Sequence, residues 1–260
     1  MYIAVVRGGA RIVALIALAN VLVLAQRSSV PASGSVAQEL PKLLSQFQSE
    51  NELSNKERLL YDITTVHPEA RASLLDIAEK TKDNDTQWLA IRGIGWMKYG
   101  PAMPFLKQCL KSKSIYVRAN SAAAIGEIKD PSAAADLIEL LRTDNDSGVI
   151  EATSLALLSI GAKQAIPILK TKADNPSSQT RLWVLGAIGA LGSKKDVAFV
   201  ARFLFDDNTM VVAEAARVIE RLTGTDFGFP RCEGGPCSFG DGLDNARRWW
   251  NKWKDDPAYR

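Results

Sequence analysis

The chain is short of what most enzyme chemistry requires: its 260 residues include one histidine, three cysteines and no large excess of either charge. A single imidazole, His67, excludes a multi-histidine metal centre and leaves one side chain for any nucleophile–base pairing. His67 precedes Pro68, in what reads as a turn between helices, and a polar turn residue is its expected role. Lysine and arginine outnumber aspartate and glutamate by 32 to 29, a net +3 without the basic footprint of a nucleic-acid binder. No segment alternates as strands do. The Gly-rich stretches lack the Lys-Ser/Thr that completes a phosphate loop, and no nucleophile elbow occurs. The expectation is therefore no catalytic residues, no metal and no cofactor.

What the chain has is repetition. With Ile125 as anchor, equivalent apolar residues stand at Ile63, Ile94, Leu157, Ile188 and Ile219, in steps of 31 or 32. Three residues after each comes another, Val66, Met97, Ile128, Ile160, Leu191 and Leu222, the spacing of one helix face. A second row, Leu75, Leu106, Leu137, Leu169 and Val200, keeps the same register, so each unit is a pair of helices. Glycine follows the anchor at Gly95, Gly126 and Gly189. Inside a helix it costs about 1 kcal/mol relative to alanine, which implies a neighbouring helix that needs the missing side chain. The units run about 55–85, 86–116, 117–148, 149–179, 180–210 and, in part, 211–224.

The pattern V-R-x-x-A-A-x-A-I-G-x-I appears as Val117-Arg118 with Ala122, Ala124, Ile125, Gly126 and Ile128. It returns as Thr180-Arg181 with Gly186, Ile188, Gly189 and Leu191, and as Val149 with Ala156, Leu157, Ile160 and Gly161. This resembles the HEAT repeats, in particular the short variety named after the phycobilisome lyases. The resemblance implies an all-α fold, an α-solenoid of stacked hairpins of armadillo type, and a protein-binding scaffold or adaptor. It also implies that second helices line the concave side, which makes Lys107, Gln108, Glu139, Arg142, Lys170, Thr171 and Arg202 the candidate binding face. Their mixed charges suit another protein better than a polyanion. Of the enzyme branches, the di-iron deoxyhypusine hydroxylases need His-Glu pairs in several repeats, and this chain has none. A lyase-like accessory or assembly factor stays open as the alternative.

The ends differ from the middle. Arg7 and Arg11 precede the apolar run Ile12–Ala25, followed by RSSVPASGS, the layout of a signal peptide. The run is short for a bilayer span. Export with cleavage before Gln26 is expected, with a membrane anchor as the alternative if the segment is retained; residues 26–54 would then be linker and N-terminal cap. In an oxidising compartment Cys232 and Cys237 are expected to form a disulfide, and Cys109 to be a buried thiol. Asp83, Asp85, Asp144, Asp146, Asp206 and Asp207 precede helices and read as caps; a calcium site would lack the glycine and distal glutamate of an EF-hand. In residues 225–260 a loop leads to a helix, Leu243 to Lys254, with Trp249, Trp250 and Trp253 on one side. Its expected role is to cover the open end of the stack.

Overall fold

A computed structural model describes residues 36–229 and 239–259, in which thirteen α-helices occur and no strand. Helix α1 (Val36–Ser49) leads into α2 (Leu53–Val66) and α3 (Arg71–Lys80), the first hairpin. The next four are α4 (Asn84–Trp96) with α5 (Met103–Cys109), α6 (Ile115–Ile128) with α7 (Ala134–Thr143), α8 (Ser147–Ser159) with α9 (Ile166–Lys172), and α10 (Ser178–Leu191) with α11 (Val197–Ala201). Last come α12 (Thr209–Thr223) and α13 (Gly242–Trp253). No described helix is long and apolar enough to cross a membrane. The segment read as a signal peptide and the Cys232–Cys237 pair lie outside the described residues.

Local chemistry places each hairpin. The first helices α4, α6, α8, α10 and α12 start on Asp83, Ser114, Asp146, Ser177 and Asn208, whose side chains accept from amides of the first turn. Proline sits at or just before the start of second helices, at Pro68, Pro104, Pro131 and Pro167, where its missing N–H is harmless. All six anchors are fully buried, as are Leu106, Leu137, Leu169 and Val200. The first hairpin departs from the expected register: Leu74 is buried in place of Leu75, and Val66 is exposed. The buried alanines Ala70 and Ala102, which lead into the second helices of the first two hairpins, show the same one-residue offset.

The two rows of helices pack differently. A Cβ on Gly95 would lie 2.8 Å from Ala124 Cα, and one on Gly126 the same distance from Ala156 Cα. First helices therefore meet backbone to backbone, and the missing side chains permit the approach. The second helices are shorter and stand apart, with an open groove of about 520 Å³ around α5 and α7. A row of units drawn together along one side bends toward that side.

Both ends are covered. Phe47 of α1 is fully buried in the core that also holds Leu60 and Ile63 of α2. At the other end α13 packs on α12 through the fully buried Ala246. Arg247 Nε donates to the Leu204 carbonyl at 2.9 Å, and Asn245 Nδ2 to the Phe227 carbonyl at 2.9 Å. The Trp249 ring meets Phe227 and Tyr259 edge-on, at 5.6 and 5.2 Å between centroids. Trp250 is half-buried against the core. Trp253 departs from the expected trio: it is 37% exposed, with Lys252 Nζ 4.9 Å over its ring.

Candidate functional site

The bend changes the binding face expected from the resemblance. The close-packed side belongs to the first helices, and on that packing argument we take their surface as the inner one and the second-helix residues as the splayed outer side. There Lys107 and Glu139 line the open groove. Lys107 Nζ donates to the Ser132 carbonyl at 2.9 Å and lies 3.3 Å from Asp136 Oδ2. Glu139 pairs with Arg142 at 2.6 Å, both exposed. Lys170 pairs with Asp196 at 2.7 Å and stands 5.3 Å over the Phe199 ring. Arg202 holds Asp174 at 2.9 Å and stacks on the same ring. Thr171 Oγ1 donates to the Ile168 carbonyl, and Gln108 is exposed. The structure does not bring these seven into one site: each charged member is satisfied by a local partner.

The inner surface carries more. On α4, the Arg92 guanidinium lies 4.5 Å over Trp88 and 6.0 Å from Trp96, one turn before and one turn after it. Trp88 also meets Tyr116 of α6 at 5.9 Å. Trp96 is 45% and Tyr116 65% exposed, so an aromatic and cationic patch faces solvent at this end of the row. In the next three first helices the place of Arg92, two residues before the anchor, falls to the uncharged Ala123, Leu155 and Gly186, with Ala190 one turn beyond the last. Burial pushes the Glu151 and Glu214 carboxyls above the usual carboxylate range. The sequence shows the aromatics plainly; what it hides is which helix row faces inward.

Between repeats the acidic loops prove to do two jobs. Asp83 and Asp146 cap α4 and α8 as expected. Asp144 and Asp206, in the loops that close the third and fifth repeats, receive an arginine from the first helix of the same repeat: Arg118 Nε to Asp144 at 2.6 Å, and Arg181 Nη2 to Asp206 at 2.7 Å. Each arginine turns its other nitrogen on the carbonyls that enter its own helix, Ser112 and Lys113 for Arg118, Asn175 and Pro176 for Arg181. Burial opposes ionisation of Asp144 and Asp206, but the guanidinium and the amides of Asp146 and Asn208 outweigh it and hold both carboxyls low. Lys56 does the same for Asp83 at 2.6 Å, with Thr86 adding a second hydrogen bond.

Two chemically reactive side chains are sequestered. Cys109 is buried as expected, and burial pushes its thiol up to about 11, so it is protonated at neutral pH. His67 lies in the turn but is fully buried rather than exposed there; Nδ1 meets Glu69 Oε1 at 2.9 Å, and Nε2 has no hydrogen-bond partner among the described residues.

Comparison with known proteins agrees with this architecture. The curated proteins give no match. Among solved structures, the complex of CpcE and CpcF of phycocyanin lyase from Nostoc sp. PCC7120 superposes with a TM-score of 0.52 at 22% identity, covering 74% of this chain and 80% of that one. Designed armadillo repeat proteins for modular peptide recognition give 0.51 at 19% identity, covering 71% of this chain and all of theirs. An engineered protein gives 0.50 at 17% identity, covering 72% of this chain and 97% of the other. These likenesses show the fold. Residues 71–158 match the profile of HEAT repeats, and the hairpins on either side continue the same α-solenoid.

Proposed function

We propose that this chain is an exported protein–protein interaction scaffold that works without chemistry of its own. The supporting observation is the Trp88–Arg92–Trp96 stack with Tyr116: tryptophan, tyrosine and arginine are the side chains that anchor protein interfaces, and two of these aromatics stand in solvent on the inner surface. HEAT and armadillo-type repeats commonly bind proteins along such surfaces. Burial of His67 and of the protonated Cys109 removes the two side chains most suited to nucleophilic or acid–base work. The charged, apolar, then polar order of residues 1–35 supports export. The test is affinity capture from the native compartment with chemical cross-linking, comparing wild type with Trp96→Ala/Tyr116→Ala. A partner recovered stoichiometrically by wild type and lost in the variant supports the scaffold; a tightly held cofactor or metal that co-purifies with turnover overturns the non-catalytic reading.

A second reading, an accessory or assembly factor for an enzyme, draws on the fold likeness to the phycocyanin lyase complex. In that case the captured partner is an enzyme subunit or its protein substrate.

A further inference from the structure

Arg92 is held by two inner-face neighbours. Its Nη1 donates to Glu57 Oε1 on the preceding first helix at 3.1 Å, and its Nε to Asn120 Oδ1 on the following one at 3.2 Å. Those partners lie 35 residues before it and 28 after. The same offsets taken from Gly186 on α10 select Glu151 on α8 and Glu214 on α12. Here both flanking residues are acids, and the cation between them is missing. A Cβ on Gly186 would meet only Glu214 Oε1, at 3.6 Å, so the space above the glycine is open. Both acids are half-buried, and among the described residues neither has a hydrogen bond or ion pair.

Among the described residues the nearby arginines form no ion pair with either acid. Arg217 lies 5.7 Å from the Phe229 ring, and Arg221 Nη1 lies 2.9 Å from where a Gly189 Cβ would be. Their charges act on Glu214 through space, yet burial outweighs them and its carboxyl stays raised. The indole N–H of Trp183, one turn before Gly186 on α10, is buried without an acceptor among the described residues. Two half-buried carboxylates without a paired cation are costly, and the cost falls when one arrives.

We propose that the gap over Gly186 is a receptor for one arginine side chain of an extended partner segment, which supplies from outside the guanidinium that Arg92 supplies from within. The proposal rests on the scaffold reading and names the chemistry its inner face selects. Arginine fits better than lysine because a planar fork can donate to carboxylates on both sides while lying flat over Gly186. Half-buried Leu155, one repeat earlier, and Ala190 offer apolar contact to the methylene stem.

The test uses the full chain and two nine-residue serine–alanine peptides, identical except for a central arginine or its neutral isostere citrulline, with binding read by fluorescence anisotropy. Wild type is expected to prefer the arginine peptide by about tenfold or more. That preference is expected to vanish in Glu151→Gln/Glu214→Gln and in Gly186→Arg, whose own guanidinium fills the gap. A fold-independent readout accompanies it: Gly186→Arg should raise the melting temperature more than Gly186→Ala does, and the extra rise should disappear in the Glu151→Gln/Glu214→Gln background. Equal or absent binding of the two peptides by wild type, a preference that survives Gly186→Arg, or a missing thermal coupling overturns the receptor. A native partner retained by Gly186→Arg but lost in Trp96→Ala/Tyr116→Ala also overturns it while leaving the scaffold reading standing.

Discussion

The row of first helices and the row of second helices are built from the same 31- or 32-residue unit yet obey different rules. In the first row glycine faces an alanine backbone at Gly95 and Gly126, and there is no room for a side chain. In the second row the helices are separated by a groove, and long charged side chains pair locally across the surface, as Glu139 and Arg142 do. Tight backbone contact sets the curvature, and curvature decides which side chains face a partner. A solenoid can thus hide its recognition surface behind its least conspicuous residues.

The sharpest way to break the first row is at its polar joints. Arg181→Ala leaves Asp206 buried without its cation and frees two helix-entry carbonyls, and is expected to cost about 3 kcal/mol or more, read as a lower denaturation midpoint. Gly126→Val drives a side chain into the Ala156 backbone and should cost about 1 to 3 kcal/mol. Gly186→Ala, on the same row but over open space, should instead stabilise by up to about 1 kcal/mol. If both glycines respond alike, the distinction between a packing glycine and a vacant one is wrong. At the tail, Trp249→Ala should cost about 2 kcal/mol, roughly half the loss at a fully buried site, and Trp253→Ala within about 0.5 kcal/mol.

Titration separates two sets of acids. Glu151 and Glu214 have native pKa values raised above those of the unfolded chain, so the native state holds their protons more strongly, and their contribution to stability rises as pH falls from neutral toward about 4.3. Asp144 and Asp206 have lowered values: their contribution is complete above about 3.9 and is lost as pH falls through the native pKa. Melting temperature against pH should therefore pass through a maximum in mild acid, and Glu151→Gln/Glu214→Gln should flatten its neutral side. The smallest effect belongs to the outer face. Reversing charge at Glu139 and Arg202 together should shift stability by about 0.5 kcal/mol or less and leave partner capture intact; loss of capture would return the binding surface to the second helices.

Much of the fold is legible in the sequence, because burial imposes a period that Ile63 through Ile219 repeat and because Gly95 and Gly126 announce close approach. Capping aspartates and the covering tail are legible for the same reason, since each answers a local need of a helix end or an open core. The pairing of Arg118 with Asp144, and of Arg181 with Asp206, is not: it joins the start of a hairpin's first helix to the loop after its second, and that closeness follows from how the two helices cross. The inner face is hidden by the same unknown. Gly186 and Gly189 look alike as letters in one motif, yet a Cβ on Gly189 would strike Val218 at 2.6 Å while one on Gly186 would not clash.

The joints themselves alternate. Lys56, Arg118 and Arg181 fasten the loops that lead from the first repeat to the second, the third to the fourth and the fifth to the sixth. The two joints between are closed on the outer side instead, by Lys107 with Asp136 and Lys170 with Asp196. The same doubling shows in the letters, where Met-Pro-Phe-Leu-Lys at 103–107 answers Ile-Pro-Ile-Leu-Lys at 166–170. The unit over which these pairings recur is thus two hairpins rather than one. Excising residues 117–179 would splice like onto like, setting Gly95 against Ala187 and Lys107 against Asp196, whereas removing 117–148 alone would leave Lys107 facing a repeat that carries no acid for it. The length of this solenoid is free to change in twos.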